Sequence, residues 1–384
     1  MNPRVFRSIA RSLDGQPLGP DATPSATRRI GVLTSGGDCA GLNAAIRAIV
    51  HRAIVTYQWE VVGIEQSTHG LMTHPPKVRQ LRLEDVDGIL TAGGTILGTA
   101  NYGTPFAYPQ PDGTVKDVTE TILESYQKLG LSALIGIGGD GSLSILRKLA
   151  LQGNIPFVGI PKTIDNDVGI TERSIGFSTA VNIATEAIDR LHFTAASHSR
   201  VILVEVMGRD AGHIAISAGI AGGADVILIP EIPYQLDKIA EKINHNQALG
   251  KNYSLVVVAE AVRNEDKEAV VNSSAGQGQG RLGGIGQVLA ERISEVTGAD
   301  TRVIVLGHLQ RGGTPSPFDR LTASAFGVAA VDLVAQECYD RMVTWQDRQV
   351  KDVPLAIAIQ DYAAVDLDGT LVKTARGLGI CLGD

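Results

Sequence analysis

Short runs of aliphatic residues alternate with longer amphipathic stretches from Arg29 onward, and this alternation limits the possible folds more than any other feature of the sequence. Runs of about four to eight apolar residues are typical of buried strands, and the stretches between them are long enough for helices. Repeated strand–helix pairs favour an α/β fold with mostly parallel sheets. The predicted strands are residues 30–34, 60–64, 133–137, 157–160, 200–206, 226–229, 254–259 and 302–306.

The length of the chain adds a second constraint. At 384 residues it exceeds what one hydrophobic core usually serves, so we expect two lobes with a cleft between them. In open α/β sheets, ligands bind at the loops that leave the carboxyl ends of the strands. The motifs that follow the predicted strands are therefore the first candidates for functional residues.

Composition argues against several classes of function. The formal net charge of −7 supplies no overall basic field for binding nucleic acid. No apolar run reaches the roughly 20 residues needed to span a bilayer, and residues 1–20 lack the apolar region of a secretory signal. We therefore expect no membrane partner and a cytoplasmic location. Residues 1–28 are expected to form a flexible extension, although their arginines also resemble those of an organelle transit peptide.

Two glycine-rich turns follow predicted strands. The first is TSGGD at residues 34–38, and the second is GIGGDGS at residues 136–142. The second turn formally matches the dinucleotide-binding pattern G-x-G-x-x-G, which leaves an NAD-dependent dehydrogenase as an alternative. Asp140 argues against that alternative, because a carboxylate facing phosphates is costly unless a cation lies between them. The turn therefore favours a site for Mg²⁺ and phosphate, with Asp140 as the metal ligand.

The segment PKTIDND at residues 161–167 sets Lys162, Thr163, Asp165 and Asp167 close together. A solvated acidic turn is the simplest interpretation of this composition. In an extended segment, however, alternate residues point to one side, so both aspartates would face the same space. One could take a hydroxyl proton while the other helps to hold Mg²⁺. Phosphoryl transfer requires little beyond such positioning and charge stabilisation, which makes a kinase the leading hypothesis.

Several cationic side chains could bind the transferring group and a phosphorylated acceptor. Taken singly, each arginine is more often a partner in a surface ion pair, but these lie beside predicted strands where ligand loops are expected. Glu260 also follows such a strand. The candidates are Lys162, Arg200, Arg209, Arg302, His308 and Arg311.

Six motifs in one order resemble the signatures of the 6-phosphofructokinase family: TSGGDCAGLNAAIRAIV, IGIGGDGS, PKTIDND, VEVMGRDAGH, IAGGADVILIPE and VLGHLQRGGTPSPFDR. The resemblance covers residues 29–384. It implies phosphorylation of the 1-hydroxyl of fructose 6-phosphate to fructose 1,6-bisphosphate, the glycolytic reaction, with Mg²⁺. It also implies self-association, as a tetramer or a dimer, with active sites at subunit contacts.

The family fold implied by this resemblance has two Rossmann-like three-layer lobes with mostly parallel sheets and the active site in the cleft between them. Residues 29–175 plus 314–350 would form the larger lobe and bind Mg²⁺ and the phosphoryl donor. Residues 176–313 plus 351–384 would form the smaller lobe and bind fructose 6-phosphate.

The same resemblance assigns a role to each matching residue. Asp165 would be the general base, with Arg209 and Lys162 assisting catalysis, and Asp140 would hold the metal. The donor phosphates would lie on Gly37, Gly139, Asp140, Gly141 and Ser142. Fructose 6-phosphate would contact Thr163, Asp165, Asp167, Met207, Gly208, Arg209, Glu260, His308 and Arg311, with Arg200 and Arg302 reaching in from a neighbouring subunit.

The donor is the open question, because members of this family use either ATP or pyrophosphate. Gly141 is the residue of ATP-dependent members, whereas Lys162 is typical of pyrophosphate-dependent ones. An aspartate at position 141 would exclude the nucleotide by size and charge, so Gly141 carries more weight and ATP is favoured. A pyrophosphate-dependent enzyme stays as the alternative. A catalytically silent regulatory subunit is a remote one, since Asp140, Asp165 and Asp167 are all present.

Two departures from the bacterial pattern have consequences. Asn101 stands where bacterial enzymes place an arginine against the donor phosphates, and Lys162 could replace that charge but not the geometry of a guanidinium group. His51 and His192 stand at two arginine positions of the bacterial allosteric site, although Arg47 is kept. We therefore do not expect bacterial-type control by ADP and phosphoenolpyruvate.

Overall fold

The computed structural model describes residues 28–110, 112–263, 271–272 and 281–384. Its strands are β1 (Arg29–Thr34), β2 (Glu60–Ile64), β3 (Val78–Leu81), β4 (Tyr108–Pro109), β5 (Val115–Lys116), β6 (Ala133–Gly138), β7 (Phe157–Thr163), β8 (Ile175–Gly176), β9 (Val201–Val206), β10 (Val226–Leu228), β11 (Ser254–Ala259), β12 (Val271–Asn272), β13 (Arg281–Leu282), β14 (Thr301–Val305), β15 (Arg341–Gln346) and β16 (Gln349–Pro354).

The helices alternate with these strands through most of the chain. They are α1 (Leu42–His51), which continues into a π-helical turn (Arg52–Thr56), α2 (His69–Met72), α3 (Leu83–Val86), α4 (Thr119–Lys128), α5 (Asp140–Gly153), α6 (Phe177–His198), α7 (His213–Ala221), α8 (Leu236–Ala248), α9 (Ile285–Thr297), a 3₁₀ helix (Gly307–Arg311), α10 (Pro317–Ala335), α11 (Leu355–Ala358) and α12 (Thr370–Gly377). None of these helices is long and apolar enough to cross a bilayer.

Two sheets form the centres of two lobes, which confirms the predicted α/β class. The larger sheet has the order β16-β15-β7-β6-β1-β2-β3, with β8 beside the end of β7, and the smaller has the order β10-β11-β9-β14. The smaller sheet is entirely parallel, and in the larger sheet only the edge strands β3 and β16 run antiparallel to their neighbours. Strands β6, β7, β9 and β11 are buried along their whole length, as the uninterrupted apolar runs of a covered parallel sheet require.

All eight predicted strands are present, and β7 differs most from its prediction. We predicted residues 157–160, whereas β7 continues to Thr163 because β8 pairs with it at Lys162 and Thr163. The first half of the PKTIDND segment is therefore strand, and only its second half is loop. Strand β8 has two residues, too few for an apolar pattern to reveal it.

The final strand of the larger sheet corrects one boundary predicted from the sequence. Residue 351, where we expected the chain to return to the smaller lobe, lies inside β16, which pairs with β15 along its whole length. Helix α11 then packs Leu355 into the core beside Leu143 and Leu146 of α5. The return to the smaller lobe therefore follows Ala358, and Cys381 finally pairs beside β10.

Candidate active site

Two glycine turns meet at the carboxyl ends of β1 and β6. A Cβ atom on Gly36 would lie 2.6 Å from Ser142 Oγ, and one on Gly138 would lie 2.8 Å from Ser142 Cβ, so the turns approach this closely only without side chains. Gly139 is the N-cap of α5 and Asp140 is its first residue, and no described side chain caps the first turn. The free N–H groups of such a helix start attract anions, and phosphate groups in particular.

Gly141 differs from the other glycines of these turns. A Cβ atom there would meet no heavy atom within 4 Å, and the residue is exposed. The space beside Gly141 is therefore free for a ligand above the start of α5.

Lys162 lies beneath the first turn and is buried. Its Nζ donates to the carbonyl oxygen of Gly37, and burial lowers the pKa of the ammonium group despite the nearby Cys39 and Asp165. Arg311, at the end of the 3₁₀ helix, reaches the same turn and donates from Nη1 to the carbonyl oxygen of Asp38 at 3.2 Å. Both cations therefore support the turn of residues 36–38, and Arg311, predicted as a ligand of the acceptor, also acts on Asp165 through its charge.

The loop after β7 carries two buried carboxylates. The backbone N–H of Asp165 donates to Thr163 Oγ1 at 3.1 Å, and Thr163 Oγ1 donates to Asp165 Oδ2 at 3.3 Å. Asn166 has a left-handed backbone with φ of 53°, and Ser174 Oγ donates to its Oδ1 at 3.1 Å. This sharp turn separates Asp165 from Asp167 and keeps both within the loop.

One oxygen of each carboxylate has no hydrogen-bond partner within the described residues, Oδ1 in Asp165 and Oδ1 in Asp167. Burial raises the pKa of Asp165, and Arg311 and Arg209 oppose the rise. Burial also raises the pKa of Asp167 to about 6, with further contributions from the charges of Asp165 and Asp140. Two unsatisfied buried carboxylate oxygens are costly in the free protein, which is typical of a site that a ligand or cation completes.

The smaller lobe presents a turn of Met207, Gly208 and Arg209 to this loop. Arg209 Nε lies 3.9 Å from Asp165 Oδ2, and the arginine side chain is 63% exposed while that of Asp165 is 5% exposed. Arg209 has a left-handed φ of 48°, and its backbone N–H donates to Glu260 Oε1 at 3.2 Å. Burial raises the pKa of Glu260 to about 7. The two lobes thus place a buried carboxylate, a cation and a second carboxylate around one cleft.

Gln310 of the 3₁₀ helix holds this turn in place, and we did not predict it from the sequence. The buried Gln310 accepts the backbone N–H of Met207 at its Oε1, at 2.9 Å. His308 lies on the same 3₁₀ helix and is exposed. The 3₁₀ helix therefore supports the turn of residues 207–209 through Gln310.

Arg200 and Arg302 lie away from this cleft. Arg200 precedes β9 and Arg302 is the second residue of β14, so both are at the amino ends of strands whose carboxyl ends form the site. Both pair with Asp300, Arg200 Nε at 2.8 Å from its Oδ2. A single chain does not bring these two predicted ligands to the others.

An aromatic cluster lies beyond the turn of residues 36–38. Tyr108 Oη is 2.5 Å from His69 Nε2, and the ring centre of Tyr102 is 6.4 Å from that of Tyr108. The loop that carries Tyr102 is attached to the turn of residues 36–38, since Gly36 N donates to Ala100 O at 2.9 Å. We did not predict this cluster. The sequence feature that could have revealed it is the close spacing of Tyr102, Phe106 and Tyr108 in a chain that is only 4% aromatic.

The two histidines at the arginine positions of the bacterial allosteric site differ in their contacts, since His192 has hydrogen-bond partners and His51 Nε2 has none among the described residues. His192 Nε2 lies 2.7 Å from Gly222 O, and its Nδ1 lies 3.1 Å from Tyr253 Oη. His51 lies 3.7 Å from Asp87, and burial together with Arg47 lowers its pKa. At neutral pH a lowered pKa leaves His51 a poor substitute for an arginine.

Comparison with known proteins identifies close relatives. Residues 29–334 match the model of the family described as phosphofructokinase. "ATP-dependent 6-phosphofructokinase 1" from Synechocystis sp. is 64% identical over 357 residues, covering 93% of this chain and 99% of that protein. The protein of the same name from Nostoc sp. is also 64% identical, over 360 residues that cover 94% of this chain and all of that one.

Solved structures agree on the fold. A phosphofructokinase from Saccharomyces cerevisiae has a TM-score of 0.73 at 30% identity, covering 87% of this chain and 45% of the yeast chain. A pyrophosphate-dependent phosphofructokinase from Nitrosospira multiformis has a TM-score of 0.78 at 22% identity, covering 94% of this chain and 93% of that one.

Proposed function

The chain belongs to the phosphofructokinase family, and from this membership we propose that it is an ATP-dependent 6-phosphofructokinase. It transfers the γ-phosphoryl group of ATP to the 1-hydroxyl of fructose 6-phosphate, which gives fructose 1,6-bisphosphate and ADP. This is a phosphotransferase reaction of glycolysis. The observation that carries the mechanism is the carboxylate of Asp165, buried and partly unsatisfied, which faces Arg209 at 3.9 Å across the cleft.

Asp165 acts as the general base in this proposal. Burial raises its pKa, which strengthens it as a proton acceptor, while the nearby arginines keep the ionised form accessible. The free Oδ1 can take the proton of the sugar hydroxyl as that oxygen attacks the γ-phosphorus. Arg209 stabilises the negative charge on the transferring group, and Thr163 holds the other carboxylate oxygen in place.

The order of the strands supports ATP as the donor. Asp165 follows β7, the two glycine turns follow β6 and β1, and His69 follows β2, in the spatial order β7-β6-β1-β2. A donor whose γ-phosphate meets Asp165 and whose phosphates lie on the glycine turns must extend towards the β2 side. The cluster of His69, Tyr102 and Tyr108 offers rings on which a base can stack there. Pyrophosphate would leave these rings unused.

The residues at the cleft fit Mg²⁺. No three His, Cys, Asp or Glu side chains in the described ranges could hold a metal by themselves, and Mg²⁺ usually takes only one or two carboxylates together with phosphate oxygens and water. Asp140 would hold the ion, and the buried, unpartnered Oδ1 of Asp167 faces the same negative region. Bound Mg²⁺ neutralises charge on the β- and γ-phosphates.

The remaining assignments are part of the same proposal. The donor phosphates lie on Gly37, Gly139, Gly141 and Ser142, and Lys162 supports this turn in place of the arginine that Asn101 replaces. The acceptor pocket consists of Thr163, Asp167, Met207, Gly208, Arg209, Glu260, His308 and Arg311. The larger lobe therefore binds the donor and the smaller lobe binds the sugar phosphate.

Self-association completes the acceptor pocket in this proposal. Arg200 and Arg302 cannot serve their own cleft from the amino ends of their strands. Strand β14 forms an edge of the smaller sheet, and its Val305 is 58% exposed, as expected of a surface that a second subunit covers. A homo-oligomer, a tetramer or a dimer, would bring the two arginines to a neighbouring site. The cytoplasmic location stays a prediction.

A coupled assay tests the reaction and the donor together. Fructose 6-phosphate is offered with ATP or with pyrophosphate, each with Mg²⁺, and we expect turnover with ATP. Turnover only with pyrophosphate would reassign the donor, and no turnover with either would favour a silent subunit. In the same assay, Asp165→Asn should lower kcat by about 10²–10⁴-fold with little change in the KM for fructose 6-phosphate. The matched control Asp189→Asn, an exposed carboxylate on α6, should leave kcat unchanged.

A further inference from the structure

A short segment near the end of the chain connects the two sides of the cleft. Residues 361–365, here called the strap, lie between α11 and α12. On the larger lobe, Gly169 N donates to Asp361 O at 2.9 Å and Ala363 N donates to Asp167 O at 3.0 Å, with Val168 and Tyr362 paired antiparallel between them. A Cβ atom on Gly169 would lie 2.3 Å from Asp361 O. The strap is therefore fixed directly to the loop of the catalytic carboxylates.

The other edge of the strap contacts the smaller lobe. His213 Nε2 donates to Ala363 O at 2.8 Å, and Val365 N donates to Glu231 Oε1 at 2.9 Å. The same Glu231 oxygen also accepts Gly212 N at 3.0 Å. Gly212 and His213 begin α7 only a few residues after Arg209, so the strap holds the start of the helix that follows the Arg209 turn.

Arg209 needs such support because its own contacts restrain its position only weakly. Its side chain is 63% exposed, and among the described residues its one hydrogen bond is from its backbone N–H to Glu260. Phosphoryl transfer depends on the position of a cation relative to the base, and a displacement of about 1 Å can cost about a hundredfold in rate. The position of the Arg209 turn relative to Asp165 must therefore be set by the surrounding structure.

We infer that His213 is a positioning residue for the reaction: through Ala363 of the strap, it holds the Arg209 turn against the loop of Asp165 and Asp167. Ala363 accepts a hydrogen bond from the imidazole at its carbonyl oxygen and donates one to Asp167 from its N–H. This one residue of the strap therefore connects both sides of the cleft. The ring of Phe177 contacts His213 edge-on, with ring centres 6.5 Å apart, and fixes its orientation. This inference rests on the proposed function for the identity of the reacting groups.

Three variants test the inference by steady-state kinetics. His213→Ala removes the donor, and we expect kcat to fall about tenfold to a hundredfold with the KM for ATP unchanged. His213→Gln keeps an N–H donor of similar reach and should restore kcat to within about threefold of the unmodified protein. His192→Ala is the matched control, because it removes an imidazole–carbonyl hydrogen bond of 2.7 Å from the same lobe, from a residue that is also half-buried. It should leave kcat unchanged.

Amide hydrogen exchange supplies a readout that does not depend on activity. In His213→Ala the amides of Gly169 and Ala363 should exchange faster than in the unmodified protein and in His192→Ala, because the strap loses one of its two anchors on the smaller lobe. The inference is overturned if exchange at both amides stays the same, if kcat stays the same, or if His213→Gln loses as much kcat as His213→Ala. If the unmodified protein has no kinase activity, the proposed function fails, and the exchange rates still report whether His213 holds the strap.

Discussion

Asp167 should lower the stability of the free protein while serving its activity. Its folded-state pKa is about 6 against an ordinary value of 3.8. A raised pKa means that the folded protein binds the proton more tightly than the unfolded chain. The free energy of unfolding is therefore highest below about pH 4. As the pH rises through about 6, deprotonation of Asp167 lowers this free energy by about 3 kcal/mol in total.

Replacing this carboxylate by an amide removes the loss. Asp167→Asn should match the free energy of unfolding of the unmodified protein at low pH and exceed it by up to about 3 kcal/mol at pH 7.5. At pH 5 the excess should be only about half of that, because most of the carboxyl group is then protonated in the folded state. The same change should lower kcat at least about a hundredfold, since a carboxylate that completes the cleft is gone.

Urea unfolding measures this difference directly. The unmodified protein, Asp167→Asn and the control Asp189→Asn are compared at pH 5 and pH 7.5, at one protein concentration and without nucleotide or Mg²⁺. The control should follow the unmodified protein at both pH values. A variant that is less stable than the unmodified protein at pH 7.5, or an excess that does not grow between the two pH values, refutes the reasoning about burial.

Three further predictions address the donor and acceptor sites. Gly141→Asp should fold normally, because nothing lies within 4 Å of its new Cβ atom. The new carboxylate should repel phosphate and raise the KM for ATP at least about tenfold, whereas Gly141→Ala should leave this KM unchanged. Equal KM values for the two variants would contradict this. Lys162→Gly should lower kcat with ATP, since the Gly37 turn loses its buried cation, and a higher kcat would count against that role. Fructose 6-phosphate should bind more tightly as the pH rises through about 7, because only ionised Glu260 accepts hydrogen bonds at both carboxylate oxygens. Calorimetric titrations of Glu260→Gln should show no such dependence of affinity on pH.

The sequence predicted the strands well because each long buried strand leaves an uninterrupted apolar run. It could not predict β8, whose two residues leave no pattern, and so it assigned Lys162 and Thr163 to a loop. The glycine turns and the acidic loop were also predictable, since their chemistry is carried by neighbouring residues.

Contacts between distant segments were not predictable in the same way. Nothing local marks Gln310 as the partner of Met207, or His213 as the partner of Ala363 some 150 positions later. The contact of Arg311 with the donor turn likewise depends on how the two lobes meet. Such partners are selected by tertiary packing, which leaves no periodic signal in the sequence.

The free space beside Gly141 has an evolutionary consequence. Most glycines of the two turns are held in place by close neighbours, so selection for folding alone would preserve them. At position 141 the fold imposes no such restraint, so in the proposed mechanism a side chain there would act on the donor before it changed stability. A single codon could therefore weaken the use of ATP in a lineage while the fold stays intact.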